Sequence, residues 1–190
     1  MVEKLIESFE ELKKYNFLIT RKNKANIIFR FKNESFYHLI GLHKIKNFDN
    51  YFPKMIKSKD KKYKYIKNNI QKFNNILNNQ LKEKDLLKLR IHTFPYIVDL
   101  LKGNNTLLYN LKNKVDGSLY NGDFGLVKIY DYNIYCLLGL KINKKDNENI
   151  NCFPNSWMAS KRTNRLTEFK RPIHMDSILA FPINHEAIKI

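Results

Sequence analysis

The apolar residues change their period at Gly103-Asn104-Asn105, and that change limits the architectures open to the chain. Upstream they recur every three or four residues. Val2, Leu5, Ile6, Phe9 and Leu12 form one stripe, with glutamates early and Lys13 and Lys14 late, as a helix dipole prefers. Tyr63, Ile66, Ile70, Phe73 and Leu77 form a second stripe on one long helix, and shorter helical stretches follow through Leu86, Leu87 and Leu89 and through Ile97, Val98, Leu100 and Leu101. Downstream, Thr106 to Leu111, Phe124 to Tyr130 and Ile134 to Ile142 are dense in aliphatic and aromatic residues and punctuated by Gly, Asp and Asn, the pattern of consecutive antiparallel strands. Lys144 to Asn151 is a polar loop, Cys152 to Ser160 a further strand or loop interrupted by Pro154, and Ile178 to Ile183 closes the sheet. Helices clustered before the main sheet make an α+β fold.

The first stripe is followed by a hairpin. Phe17 to Thr20 and the alternating Ile27, Phe29 and Phe31 flank a polar Lys22-Asn23-Lys24 turn. Asn33 or Ser35 then caps a short helix in the segment SFYHLIGLHKI, carrying Phe36, His38, Leu39, Leu42 and Ile45. With no internal repeat and no Gly/Ser linker, the 190 residues read as one domain with a helical, basic segment at about 54–102.

A formal charge of +17 opposes compaction unless something anionic neutralises it, and phosphate backbone is the leading partner. The alternative is a skewed base composition that favours Lys, Asn and Ile with no nucleic-acid role. Twelve Lys and Arg against three Asp and Glu lie between Lys54 and Arg90. The Lys54 to Lys67 run, with Tyr63 and Tyr65 interleaved, reads as a phosphate surface or as a solvated helix face. Four glutamates within the first eleven residues, without a basic region leading an apolar run, argue for a cytoplasmic protein. No stretch approaches the ~20 apolar residues that cross a bilayer, so no membrane partner is expected. Cys136 and Cys152 are far apart and read as packed thiols.

Several chemistries drop out. Two-metal nucleases need carboxylates holding cations ~3.5 to 4 Å apart, whereas Asp116, Asp123, Asp131 and Glu148 are scattered through turns. His38 and His43, five apart on a continuous helix, point about 140° from each other and cannot share zinc. No phosphate-binding glycine loop is present. Neither a metal nor another cofactor is therefore expected. Cleaving RNA without metal needs a proton acceptor, a proton donor and cations for the phosphorane, which His, Lys, Arg, Ser and Tyr can supply.

Ile27 to Ile45, reading IIFRFKNESFYHLIGLHKI, resembles the leading motif of a phage-associated branch of the barnase-EndoU-colicin-RelE-like nucleases, in which a strand leads into a helix bearing H-L-x-G-L. Here that motif is His38-Leu39-Ile40-Gly41-Leu42. Arg90-Ile91-His92-Thr93-Phe94 is similar to the family's arginine before an aromatic-rich helix, and Pro154-Asn155-Ser156-Trp157 to its late proline, variable residue and Ser or Thr before an aromatic. The resemblance implies nuclease activity, an α+β fold and a conflict-system or mobile-element setting. It also implies a site of His38 as general base or acid, Arg90 gripping phosphate and Ser156 contacting phosphate or reacting. Each has a structural counterpart: a hydrogen-bonded helix histidine, a surface charge and a turn hydroxyl. Gly41 is expected to let its helix approach the sheet.

Lys44, Lys141, Lys161 and Arg162 are candidate nucleic-acid contacts, and Trp157 is read either as a base-stacking surface or as core. The leading expectation is a metal-independent endoribonuclease acting on tRNA or mRNA, a toxin that an antitoxin restrains. A non-catalytic nucleic-acid binder and an antitoxin or inhibitor are the alternatives.

Overall fold

All five residues of the opening stripe are buried along α1 (Val2–Leu12). Next, β1 (Tyr15–Thr20) and β2 (Asn26–Arg30) pair antiparallel, with Phe17 opposite Phe29 and Ile19 opposite Ile27. Asn23 turns the chain between them at φ 54°, an angle asparagine tolerates better than most residues. The structure is a computed structural model and describes residues 1–82, 84–111, 122–130, 134–161 and 172–183.

The helical half differs from expectation at two points. α2 (Asn33–Leu39) stops early, because Gly41 at φ 80° turns the chain and Leu42–Lys44 form a separate 3₁₀ turn. Neither Asn33 nor Ser35 caps it. Lys32 holds the N-cap position, and the Asn33 amide is engaged by Lys13 and Asp60. The long lysine-rich helix is two, α3 (Lys59–Asn68) and α4 (Ile70–Gln80). Asn69 breaks it, its side-chain amide donating to the Tyr65 carbonyl and competing with the backbone. α5 (Asp85–Thr93) and α6 (Tyr96–Leu100) follow, and Gly103 at φ 81° helps end the helical half.

β3 (Leu107–Asn110), β4 (Phe124–Tyr130), β5 (Ile134–Lys145) and β6 (Asn149–Ser160) form an antiparallel meander. The expected polar loop contracts to a turn in which the Asp146 carboxylate accepts from the Glu148 and Asn149 N–H groups. Pro154 does not interrupt β6. A register shift pairs Gly139 with Ser156 and Leu140 with Pro154, and the bulge absorbs the proline. β7 (Ser177–Pro182) pairs with β1, giving the order β3-β4-β5-β6-β2-β1-β7, in which β2 and β6 run parallel. The Ile173 N–H donates to the Leu108 carbonyl at one edge, and four residues later Ser177 faces Thr20 near the other. Four residues span at most ~14 Å, so the sheet is curled.

Leu126, Leu138 and Trp157 point from one sheet face into the core beneath the helices, where Phe9, Phe36, Tyr63 and Phe94 meet edge to face around Phe36. Truncating one such phenylalanine to alanine costs about 3–5 kcal/mol. The opposite face carries a smaller cluster of Tyr109, Leu111, Val127 and Leu137. Cys136 and Cys152 are free and buried, as expected. Among the described residues, no helix is long and apolar enough to cross a membrane.

Candidate active site

The last carbonyls of α2 are met by α5. Arg90, only 5% exposed, donates from Nε to the Leu39 carbonyl (2.7 Å) and from Nη2 to the His38 carbonyl (2.6 Å). A helix end leaves such acceptors without intrahelical partners, and a cation there also suits the dipole. Gly41 lies against the same side chain: a Cβ would stand 2.9 Å from Leu87 Cδ1 and 3.2 Å from Arg90 Nε. The glycine is therefore required by left-handed backbone and by close approach to α5, where approach to the sheet was expected.

The left-handed turn brings His43 back onto His38, with ring centroids 4.7 Å apart and planes at 56°. The angular separation of the two histidines assumed one continuous helix, and the stop at Leu39 removes it. Burial, then Lys59 and Arg90, lower the His38 pKa. Burial, then His38, Arg90 and Lys44, push His43 down to about 4, against a hydrogen bond to the Tyr37 backbone. Arg90 itself is lowered by burial to about 10, which leaves it charged at neutral pH, and no carboxylate among the described residues offsets it. The acid close by, Asp49, is engaged by the Tyr37 hydroxyl at 2.5 Å and Lys62 at 2.8 Å.

Two neutral imidazoles thus touch within a region of positive potential. A phosphate entering it would raise the proton affinity of both rings, so that one could hold a proton while the other stays basic. Among the described residues no three His, Cys, Asp or Glu side chains come together, and the surrounding cations oppose a metal ion between the rings.

The three residues expected to form the site separate. His38 and Arg90 are adjacent, yet their contact runs through the His38 backbone carbonyl. With Nε and Nη2 bonded to carbonyls, Arg90 is not the free fork expected to grip phosphate. Ser156 lies elsewhere. Its neighbour Trp157 points Nε1 at Thr93 Oγ1 of α5 (3.4 Å), so Ser156, one residue away along β6, faces the other side of the sheet, beside Gly139. Trp157 is fully buried and cannot stack on a base in this arrangement.

Lys44 neighbours His43. Lys141 is exposed on β5, its side opposite to that of the core residues Leu140 and Ile142, and Lys161 is exposed at the end of β6. Arg162, like Asp116 and Asp131, lies outside the described residues. Sequence reasoning missed His43 as a site residue and gave Lys59 only as part of the Lys54 to Lys67 run, a phosphate surface or a solvated helix face. Gly41 carried the signal for His43, since a glycine soon after an amphipathic turn is a helix-ending residue and lets the following segment fold back.

No curated protein and no solved structure gives a significant match to the chain. The family model described as phage-Barnase-EndoU-ColicinE5/D-RelE like nuclease4 matches residues 2–186. With nearly its whole length matched, the chain belongs to this nuclease family.

Proposed function

We propose that the protein is a ribonuclease that cleaves its substrate without a bound metal, through His38 and His43. The observation that supports this reading is the contact of two imidazoles, 4.7 Å between centroids, beside a buried guanidinium that no carboxylate among the described residues offsets. One ring, neutral, takes the proton of the ribose 2′-hydroxyl as its oxygen bonds to phosphorus. The other, protonated once phosphate is bound, gives its proton to the departing 5′-oxygen as the P–O5′ bond breaks. The products are a 2′,3′-cyclic phosphate and a free 5′-hydroxyl. Lys44, Lys59 and the charge of Arg90 oppose the build-up of negative charge on the phosphorane.

A substrate lacking the 2′-hydroxyl cannot follow this route, which is why RNA fits and DNA does not. The test is cleavage of end-labelled RNA in EDTA by wild type, His38→Ala and His43→Ala. Each substitution should lower kcat by about 10²–10⁴. Undiminished cleavage by both variants, or activity that EDTA abolishes, would sink the proposal, whereas salt-sensitive binding with no cleavage by wild type would favour the non-catalytic binder. A toxin role adds that expression of wild type, and not of His38→Ala, arrests growth.

A second placement of the chemistry has one observation in its favour. The Ser156 and Tyr135 hydroxyls are buried and have no hydrogen-bond partner among the described residues, and both belong to the sheet face opposite the helices. A reaction centred there would be abolished by Ser156→Ala and survive His43→Ala.

A further inference from the structure

α5 has a second working side. Leu87, Arg90 and Ile91 are buried. Leu86, Lys88, Leu89 and His92 instead line a groove of about 780 Å³ that Lys161 closes at the end of β6. Arg90 and His92 are two residues apart, about 200° around the helix, so the His92 side of this groove faces away from the histidine pair.

The lining is chemically divided. Leu86 is 64% exposed, an apolar side chain that the core does not account for, and with Leu89 it supplies an apolar wall. Lys88 and Lys161 have no carboxylate partner among the described residues, and both face the groove. The His92 Nδ1 lies 2.7 Å from the Lys88 carbonyl. A carbonyl only accepts, so Nδ1 carries the proton and Nε2 is left for a ligand. Asp85, at the start of α5, also lines the groove and makes that end unsuitable for an anion.

We propose that this groove binds one nucleotide of a single-stranded RNA substrate away from the scissile phosphate. Its phosphate lies between Lys88 and Lys161, its base lies against Leu86 and Leu89, and His92 Nε2 meets a donor of the sugar or base. Two ammonium groups beside an apolar wall match a nucleotide, which joins an anion to a flat, weakly polar ring. The inference rests on the ribonuclease reading for its substrate, but it concerns binding and can be tested without turnover.

The test is binding of a fluorescent 2′-O-methyl oligouridine, which lacks the free 2′-hydroxyl and is not cleaved. Wild type is compared with Lys88→Glu/Lys161→Glu and with Lys144→Glu/Lys145→Glu, a control pair that carries the same charge change at the exposed end of β5. All four lysines are exposed, so the folds should hold, and thermal melting checks this. The groove pair should weaken Kd at least tenfold more than the control and flatten the dependence of log Kd on log salt by about 0.7, for one phosphate contact on a single strand. With cleavable RNA, KM should rise while kcat stays within about twofold. Equal weakening by the two pairs overturns the proposal and leaves the groove to an acidic protein segment. Binding without cleavage by wild type would defeat the ribonuclease reading and leave the groove assignment standing.

Discussion

Arg90 holds His38 by its backbone: Nη2 lies 2.6 Å from the His38 carbonyl oxygen, which also accepts from the Gly41 N–H at 3.1 Å. The position of the imidazole is thereby tied to α5, while the guanidinium charge acts on both rings through space. A lysine at this position keeps the charge but cannot present two donors in a planar fork to two successive carbonyls. Arg90→Lys should therefore lose about 2 kcal/mol of stability in urea unfolding. At a temperature where the variant remains folded, kcat should fall with little change in KM. An unchanged unfolding midpoint with a raised KM would instead mark Arg90 as a phosphate contact.

Gly41→Ala probes the same turn from the other side. Alanine pays about 1–2 kcal/mol for the left-handed conformation. Its Cβ would also press on Leu87 Cδ1 and Arg90 Nε, at 2.9 and 3.2 Å. Leu87 ends in a flexible methyl and can yield, whereas Arg90 is held by two carbonyls. We expect a stability loss of about 1–3 kcal/mol and a larger separation of the two histidine rings, read by the loss of the nuclear Overhauser effect between them. A variant as stable as wild type would show that the turn can relax without its glycine.

The sequence periodicity revealed the elements more fully than it revealed the site. The stripe from Val2 to Leu12 and the dense apolar run of β4 are both local features, so the helix and strand follow from residue order alone. The split at Asn69 depends on one amide choosing a carbonyl four residues back, a choice no period records. For the site, the H-L-x-G-L segment drew attention to His38 and Gly41, but the meeting of His38 with His43 depends on a left-handed residue between them. From the sequence Ser156 reads as a candidate turn hydroxyl after Pro154, whereas it lies within β6. Which sheet face it occupies depends on the register shift against Gly139, which no local pattern carries. Trp157 had two readings, and the depth of the core beneath α5 decides for burial.

Ser156→Ala distinguishes a structural hydroxyl from a reacting one. The Oγ atom is buried without a hydrogen-bond partner among the described residues, so its removal relieves a desolvated polar group. Stability should be unchanged or rise by up to about 1 kcal/mol, and cleavage centred on the histidine pair should persist. A loss of cleavage in a variant at least as stable as wild type would move the chemistry to the other face of the sheet. Gly139→Ala complements it, because a Cβ there would collide with Ser156 Oγ and should destabilise the β5–β6 pairing.

The pH dependence follows from both rings having lowered pKa values, His43 at about 4. In the unfolded chain an imidazole titrates near 6.5, as the reference value requires. Above that pH both states are neutral at these positions and this contribution to stability is fully present. As the pH falls below ~6.5, the unfolded chain takes up protons first and stability declines, until folded His43 is itself protonated near 4. The melting temperature should therefore drop across that window, and His43→Gln should flatten the drop. Catalysis carries the same signature in another form. kcat/KM reports the free enzyme, so its optimum should lie on the acid side of 6.5, while the optimum of kcat should move upward because bound phosphate favours both imidazolium forms. Proton resonances of the two rings, titrated with and without the 2′-O-methyl oligonucleotide, measure the shift directly. Rings that titrate at the ordinary value in the free protein, or whose pKa falls when RNA binds, would contradict a cation-ringed phosphate site built on His38 and His43.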